Sequence, residues 1–200
     1  VLRAEYPSHK VFSDIGCYTL GSAAPLNCMD SVVCMGAGFS AGMGIAKSFE
    51  REGVTDKTVF GVMGDSTFFH SGMTGAAEII YNNGRMIPCV LDNRITGMTG
   101  HQDNPGTGYT LLGDEAPVLS VEKIFTAMGF APVLTVDPQD LTAMKETVDR
   151  AVAALERGEH PAIVTRRPCL LIKRDRFQKG MCHVEPDKCR SCRSCLKVGC

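Results

Sequence analysis

Tryptophan is absent from this 200-residue chain, aromatics make up only 6% of it, and no run of eighteen apolar residues occurs anywhere. A membrane-spanning helix of ordinary length is thereby excluded. A net charge excess is missing too: 21 Lys/Arg balance 22 Asp/Glu to a net −1, so no global field draws the whole chain to a polyanion. The few aromatics do not interleave with the basic residues, which argues against nucleic-acid binding. Nor is there a repeat, a low-complexity tract or a basic-then-apolar leader. The chain opens on Val1 instead of Met, and it reads as one part of a longer, cytoplasmic protein.

What is present suits a globular domain with a substantial core: 44% apolar and 22% charged residues. Charge is divided unevenly, with ten Lys/Arg against three Asp/Glu from Arg166 onward and eleven against nineteen before it. A basic tail suits an acidic partner, an anionic cluster or a solvated linker. Ten cysteines are many for a cytosolic chain. Six of them (Cys17, Cys28, Cys34, Cys89, Cys169, Cys182) are scattered, whereas four crowd the last twelve residues, as a metal or cluster site requires.

Short β-branched runs alternate with helical segments. Strands are expected at Lys10–Ser13, Thr58–Met63, Ile87–Leu91, Val133–Val136 and Ala162–Arg166. Helices are expected at Ala37–Glu52, Met73–Tyr81, Val121–Met128 and Pro138–Arg157, the last capped by Asp137 with Pro138 in its first turn. Such alternation means βαβ units and an α/β doubly wound parallel sheet. Strands apolar on both sides, such as "TVFGVM", agree with a sheet covered on both faces. After Pro168 the pattern dissolves, giving a domain over 1–172, a linker over 173–188 and a cysteine-rich tail over 189–200.

Two of the strands end on polar residues: "VFGVMGDS" stops on Asp65 and "MIPCVLDN" on Asn93. Ligands gather at the carboxyl ends of strands in such sheets, and 26 residues between Ser66 and Asn93 leave room for one crossover helix. A carboxylate (Asp65), an amide oxygen (Asn93) and the carbonyl near Ile95 make half an octahedron for Mg²⁺, its other positions open to phosphate oxygens and water. Gly-Asp-Ser and Asp-Asn are also ordinary turn sequences; the pairing at this separation favours the metal–diphosphate reading.

"GDS", the crossover and "LDNRITGMTGHQ" resemble the thiamine diphosphate motif of the 2-oxoacid:ferredoxin oxidoreductase family. "SDIGCYTLGSAAPL", "CMGAGFSAGMGIAKS" and "TGHQDNPGTG" resemble its indolepyruvate branch, in the C-terminal half of the large subunit. The resemblance implies a thiamine diphosphate-binding fold in which Asp65, Asn93 and the Ile95 carbonyl hold Mg²⁺ and Gly64, Ser66 and Thr67 lie against the diphosphate. Ser66 replaces the more general Gly of that motif. Gly16, Cys17 and Tyr18 would approach the cofactor, and Met35 and Gly36 the aminopyrimidine. Met98, where pyruvate-specific relatives carry Asn, implies an aryl 2-oxoacid pocket. His101, and less so His70, are candidates to move a proton or meet a carboxylate.

By the same resemblance, a 2-oxoacid is oxidatively decarboxylated, coenzyme A takes the acyl group and ferredoxin takes the electrons. A smaller beta subunit and a hetero-oligomer are implied, and the 200-residue piece alone would be inactive. The tail "CRSCRSCLKVGC" resembles a bacterial ferredoxin run with one extra residue. Cys189, Cys192 and Cys195 would hold one [4Fe–4S] cluster and Cys200 its neighbour, both incomplete here. Zinc on the four thiolates is the rival. The rival functions are decarboxylation of pyruvate or a branched-chain 2-oxoacid, non-oxidative decarboxylation, and a non-catalytic redox or zinc-binding scaffold.

Overall fold

The computed structural model describes residues 6–172 and 185–193. Six parallel strands form a single sheet: β1 (Lys10–Ser13), β2 (Ser31–Val32), β3 (Val59–Gly64), β4 (Met86–Asp92), β5 (Val133–Val136) and β6 (Ala162–Arg166). Their spatial order is β2-β1-β3-β4-β6-β5. From β1 the chain steps outward to β2, then returns to the other side for β3 and β4, so its direction reverses beside β1. The crevice over such a reversal is where a parallel sheet binds ligands.

Four helices cover the sheet: α1 (Ala37–Glu52), α2 (Met73–Tyr81), α3 (Val121–Met128) and α4 (Leu141–Glu156). Period-2 alternation sends Val59 and Met63 of β3 to one face, where they pack with Phe39, Ala76, Ile79 and Phe125 of α1, α2 and α3. Phe60 and Val62 go to the other face, against Val148, Ala151 and Leu155 of α4. Both faces are therefore buried, and continuous apolar strands are the consequence. Among the described residues no helix is long and apolar enough to cross a membrane.

Two glycines let α1 lie on the sheet at backbone contact. A Cβ on Gly38 would stand 2.4 Å from the Val62 carbonyl oxygen, and one on Gly61 would stand 2.9 Å from the Gly38 carbonyl oxygen. Backbone cannot yield as a flexible side chain does. Gly38→Ala is accordingly expected to cost about 1–3 kcal/mol through overpacking, a fall of roughly 2–12 °C in melting temperature. An unchanged melting curve would mean that α1 does not seat this closely.

The last helix begins later than its sequence suggests. Its cap is Asp140, whose side chain accepts from the Ala143 amide. Asp137 instead accepts from the Gln139 amide and pairs with Arg167 at 2.7 Å. An Asp three residues earlier offers the same local chemistry, and the ion pair with Arg167, just past β6, takes it away from the helix.

Candidate functional site

A cavity of about 360 Å³ opens over the carboxyl ends of the strands. Ile15 to Tyr18 reach it from the end of β1, Met35 from beyond β2, and Gly64 to Thr67 from the end of β3. Leu91 to Asn93 end β4 at its floor, followed by Ile95 to Thr99. Pro138, Thr165 and Arg167 close the side under β5 and β6.

The crossover starts as a short helical turn at Asp65–Thr67, widens into a π-turn at Phe68–Gly72 and continues as α2. Turns of that kind recur at functional sites. Phe68 is fully buried against Phe39 and Phe125, with ring centroids 6.5 and 5.0 Å away. The turn that carries Asp65 is thus anchored in the core, and a rigid anchor gives a site its precision.

Asp65 is 2% exposed, and its described partners are neutral: Asn104 Nδ2 donates to its Oδ2 at 3.0 Å. Burial, reinforced by the nearby Asp92 charge, pushes its carboxyl up to about 6, while the Asn104 hydrogen bond pulls the other way. A buried carboxylate whose described partners are neutral is a site that favours a cation. Gly64 pairs in register with Leu91, so Asp65 and Asn93 leave neighbouring strands into one cavity. Asn93 Oδ1 accepts from the Ile95 amide at 3.2 Å, which orients the side chain and leaves a second lone pair on that oxygen. Ser66 Oγ accepts from Thr96 Oγ1 at 2.9 Å, keeping its own hydrogen for another acceptor. Carboxylate, amide and hydroxyl oxygens are hard donors of the kind Mg²⁺ selects, so the donor set fits a metal–diphosphate.

Tyr18 ties the cavity wall together. Its hydroxyl donates to Asp14 and accepts from the Gly64 amide at 2.8 Å. Asp14, fully buried, also accepts from the Gly36 amide at 3.0 Å and from Thr67. One carboxylate thereby joins the segments that follow β1, β2 and β3. Burial raises both groups above their usual range, Tyr18 further still through Asp14. The Tyr18 ring fills the space that a Cβ at Gly16 would need, 2.3 Å from its Cε1.

Of the residues singled out in the sequence, Gly16, Cys17, Tyr18, Met35, Gly64, Asp65, Ser66, Thr67, Asn93, Ile95 and Met98 all line this cavity. Gly36 does not: it is the left-handed start of α1 (φ 89°), with Ser71 Oγ 2.3 Å from where its Cβ would be. His101 is exposed in the loop closed by the Thr96–Gln102 bridge and lies off the cavity. His70, also exposed, lines an adjoining hollow with Phe69 and Tyr109. Asp14, Asp92, Asn104 and Arg167 were not singled out. Asp14 ends β1 as Asp65 ends β3, so the strand-end rule itself signals it. Asn104 carries no such mark.

Among the described residues no group of three His, Cys, Asp or Glu side chains is arranged to hold a metal ion. Cys189 and Cys192 are exposed, whereas Cys195 and Cys200 lie outside the described residues.

Residues 14–165 match the family model described as "Thiamine pyrophosphate enzyme, C-terminal TPP binding domain". The chain is 39% identical over 214 residues to the indolepyruvate oxidoreductase subunit IorA of Thermococcus kodakarensis, covering 99% of this chain and 31% of that one. The IorA of Pyrococcus abyssi is likewise 39% identical over 212 residues, with the same coverage. This chain therefore spans about a third of the length of the curated relatives it matches. A 2-oxoglutarate:ferredoxin oxidoreductase of Magnetococcus marinus superposes with a TM-score of 0.64 at 16% identity, over 82% of this chain and 56% of that one.

Proposed function

The chain belongs to the thiamine pyrophosphate enzymes, as their C-terminal TPP-binding domain, and from that premise we propose that it serves a 2-oxoacid:ferredoxin oxidoreductase acting on an aryl substrate such as indolepyruvate. One observation carries the cofactor site: Asp65, almost wholly buried among neutral described partners, shares a cavity with Asn93 at the ends of adjacent strands. Asp65, Asn93 and the Ile95 carbonyl would hold Mg²⁺, and Gly64, Ser66 and Thr67 would receive the diphosphate. Bound there, thiamine diphosphate supplies a carbon nucleophile and an electron sink for decarboxylation. The rest falls to the protein: Tyr18 and Asp14 lock the cavity wall, while Cys17, Met35 and Gly16 offer a largely apolar surface beside it.

Coenzyme A as acyl acceptor, ferredoxin as electron acceptor and a smaller partner subunit belong to the same reading: the relatives are named as subunits, and the Magnetococcus marinus neighbour is a ferredoxin oxidoreductase with coenzyme A bound. Cys189, Cys192, Cys195 and Cys200 would start the iron–sulfur relay. A soluble, cytoplasmic assembly is part of this proposal.

Met98 supports the aryl substrate. It is 54% exposed, lines the cavity and offers a deformable thioether with no hydrogen-bond donor. In the assembled enzyme, ferredoxin reduction with coenzyme A is expected to favour indolepyruvate over pyruvate in kcat/KM. Met98→Asn should narrow that preference by about 10-fold, the worth of a pocket contact of 1–3 kcal/mol. A wild-type preference for pyruvate would overturn the substrate assignment, and absence of coenzyme A-dependent ferredoxin reduction would overturn the reaction class.

A further inference from the structure

Arg167 follows β6 and is the one cationic side chain among the described residues lining the strand-end cavity. It is held from behind. Nη1 donates to Asp137 at 2.7 Å and Nη2 to Gln139 at 2.5 Å, both on the segment after β5. Its backbone amide donates to the Asp92 carbonyl at 3.0 Å, fastening it beside the end of β4. Nε is buried without a hydrogen-bond partner. A guanidinium has five N–H donors, so Asp137 and Gln139 fix its plane and leave donors in hand.

The other carboxylate at this end of the cavity is already engaged. Asp92 pairs with Arg166 at 2.8 Å and with Arg94 at 3.5 Å. Arg167, ion-paired with Asp137, still brings spare N–H donors to a cavity that the buried Asp65 carboxylate also lines.

Strand order says which part of a ligand it meets. The metal donors stand on β3 and β4, in the middle of the sheet. Gly16, Cys17, Tyr18 and Met35 lie to one side, after β1 and β2. Arg167 lies to the other, one strand beyond β4 and so about 5 Å past it. A ligand whose organic part turns toward β1 and β2 must point its anionic end toward β6.

Resting on the cofactor reading above, we infer that Arg167 is the contact for the terminal phosphate of the diphosphate and makes the site select thiamine diphosphate over thiamine monophosphate. A fork held by two partners loses little freedom on meeting a phosphate, which favours a strong charge-assisted contact. Asp137 is the positioning residue behind it.

The test titrates the assembled enzyme, stripped of cofactor, with thiamine diphosphate and with thiamine monophosphate at saturating Mg²⁺, by calorimetry. Arg167→Gln should weaken diphosphate binding about 10- to 100-fold, the worth of a charged hydrogen bond, and leave monophosphate binding within about threefold. Arg167→Lys and Asp137→Ala should fall between, and they carry the comparison if the Gln variant fails to melt as a folded protein. An unchanged ratio between the two ligands overturns the inference. So does an unchanged diphosphate affinity with a raised KM for the 2-oxoacid, which would assign the guanidinium to the substrate carboxylate. Wild-type protein that binds neither ligand saturably removes the cofactor reading itself, and the inference with it.

Discussion

Asp65→Asn is expected to stabilise the cofactor-free protein at neutral pH while abolishing its Mg²⁺-dependent binding of thiamine diphosphate. The stabilisation follows from linkage. Folding raises this carboxyl from 3.8 to about 6, so between those values the folded state binds more protons than the unfolded one. Stability of the cofactor-free protein then falls as pH rises through that window, by about 3 kcal/mol at most. An amide cannot ionise, yet its oxygen can still accept from Asn104. Above pH 6 the variant should therefore melt roughly 6–12 °C higher, and below about pH 4 the two proteins should coincide.

The loss of binding has a different origin. Removing the only ionised protein ligand from a buried metal site costs about 2–5 kcal/mol, roughly 30- to several-thousand-fold in affinity. In the wild type, Mg²⁺ must displace a proton below pH 6, so its apparent affinity should drop about tenfold per unit there. Melting curves with and without Mg²⁺ and cofactor, at pH 5 and 7.5, read both effects. A variant less stable than wild type at pH 7.5 would mean that Asp65 serves the fold and not a ligand.

Asp14→Ala is expected to act in the opposite sense and to lower stability sharply. It strips the acceptor from three donors at once: the Tyr18 hydroxyl, the Gly36 amide and Thr67. Each buried donor left without a partner costs about 1–3 kcal/mol, so a total of about 3 kcal/mol or more is expected, a fall of roughly 6 °C or more. Because Tyr18 also accepts from Gly64, the turn bearing Asp65 should loosen, and cofactor binding should weaken with the fold. Asp14→Asn keeps an acceptor in place and should recover much of the loss. Burial already holds this carboxyl toward its neutral form. Equal melting temperatures for the Ala variant and wild type would show that the three segments are joined by other means.

Much of this architecture is legible in the sequence, and the exceptions have physical causes. The helices at Ala37–Glu52, Met73–Tyr81 and Val121–Met128 match the 3.6-residue pattern to the residue. Gly53 and Gly129 end two of them in the left-handed conformation that glycine adopts readily. The two-residue β2 is too short to carry any periodicity. The start of α4 is misjudged because Asp137 and Asp140 are equivalent in local chemistry, and only the distant Arg167 decides between them. At the site, Asp65 and Asn93 announce themselves by ending apolar strands. Asn104 and Arg167 do not, since what gives each its place is a partner reached across the fold: Asp65, 39 residues away, and Asp137, 30 away.

The most direct measurement is electron paramagnetic resonance of Mn²⁺ titrated in place of Mg²⁺ into the cofactor-stripped assembled enzyme, with and without thiamine diphosphate. If Asp65 and Asn93 jointly clamp a metal-bridged diphosphate, one tight Mn²⁺ site per chain should form only in the presence of the cofactor, and Asp65→Asn and Asn93→Ala should each remove it. Tight Mn²⁺ binding that persists in both variants, or that ignores the cofactor, would contradict the clamp.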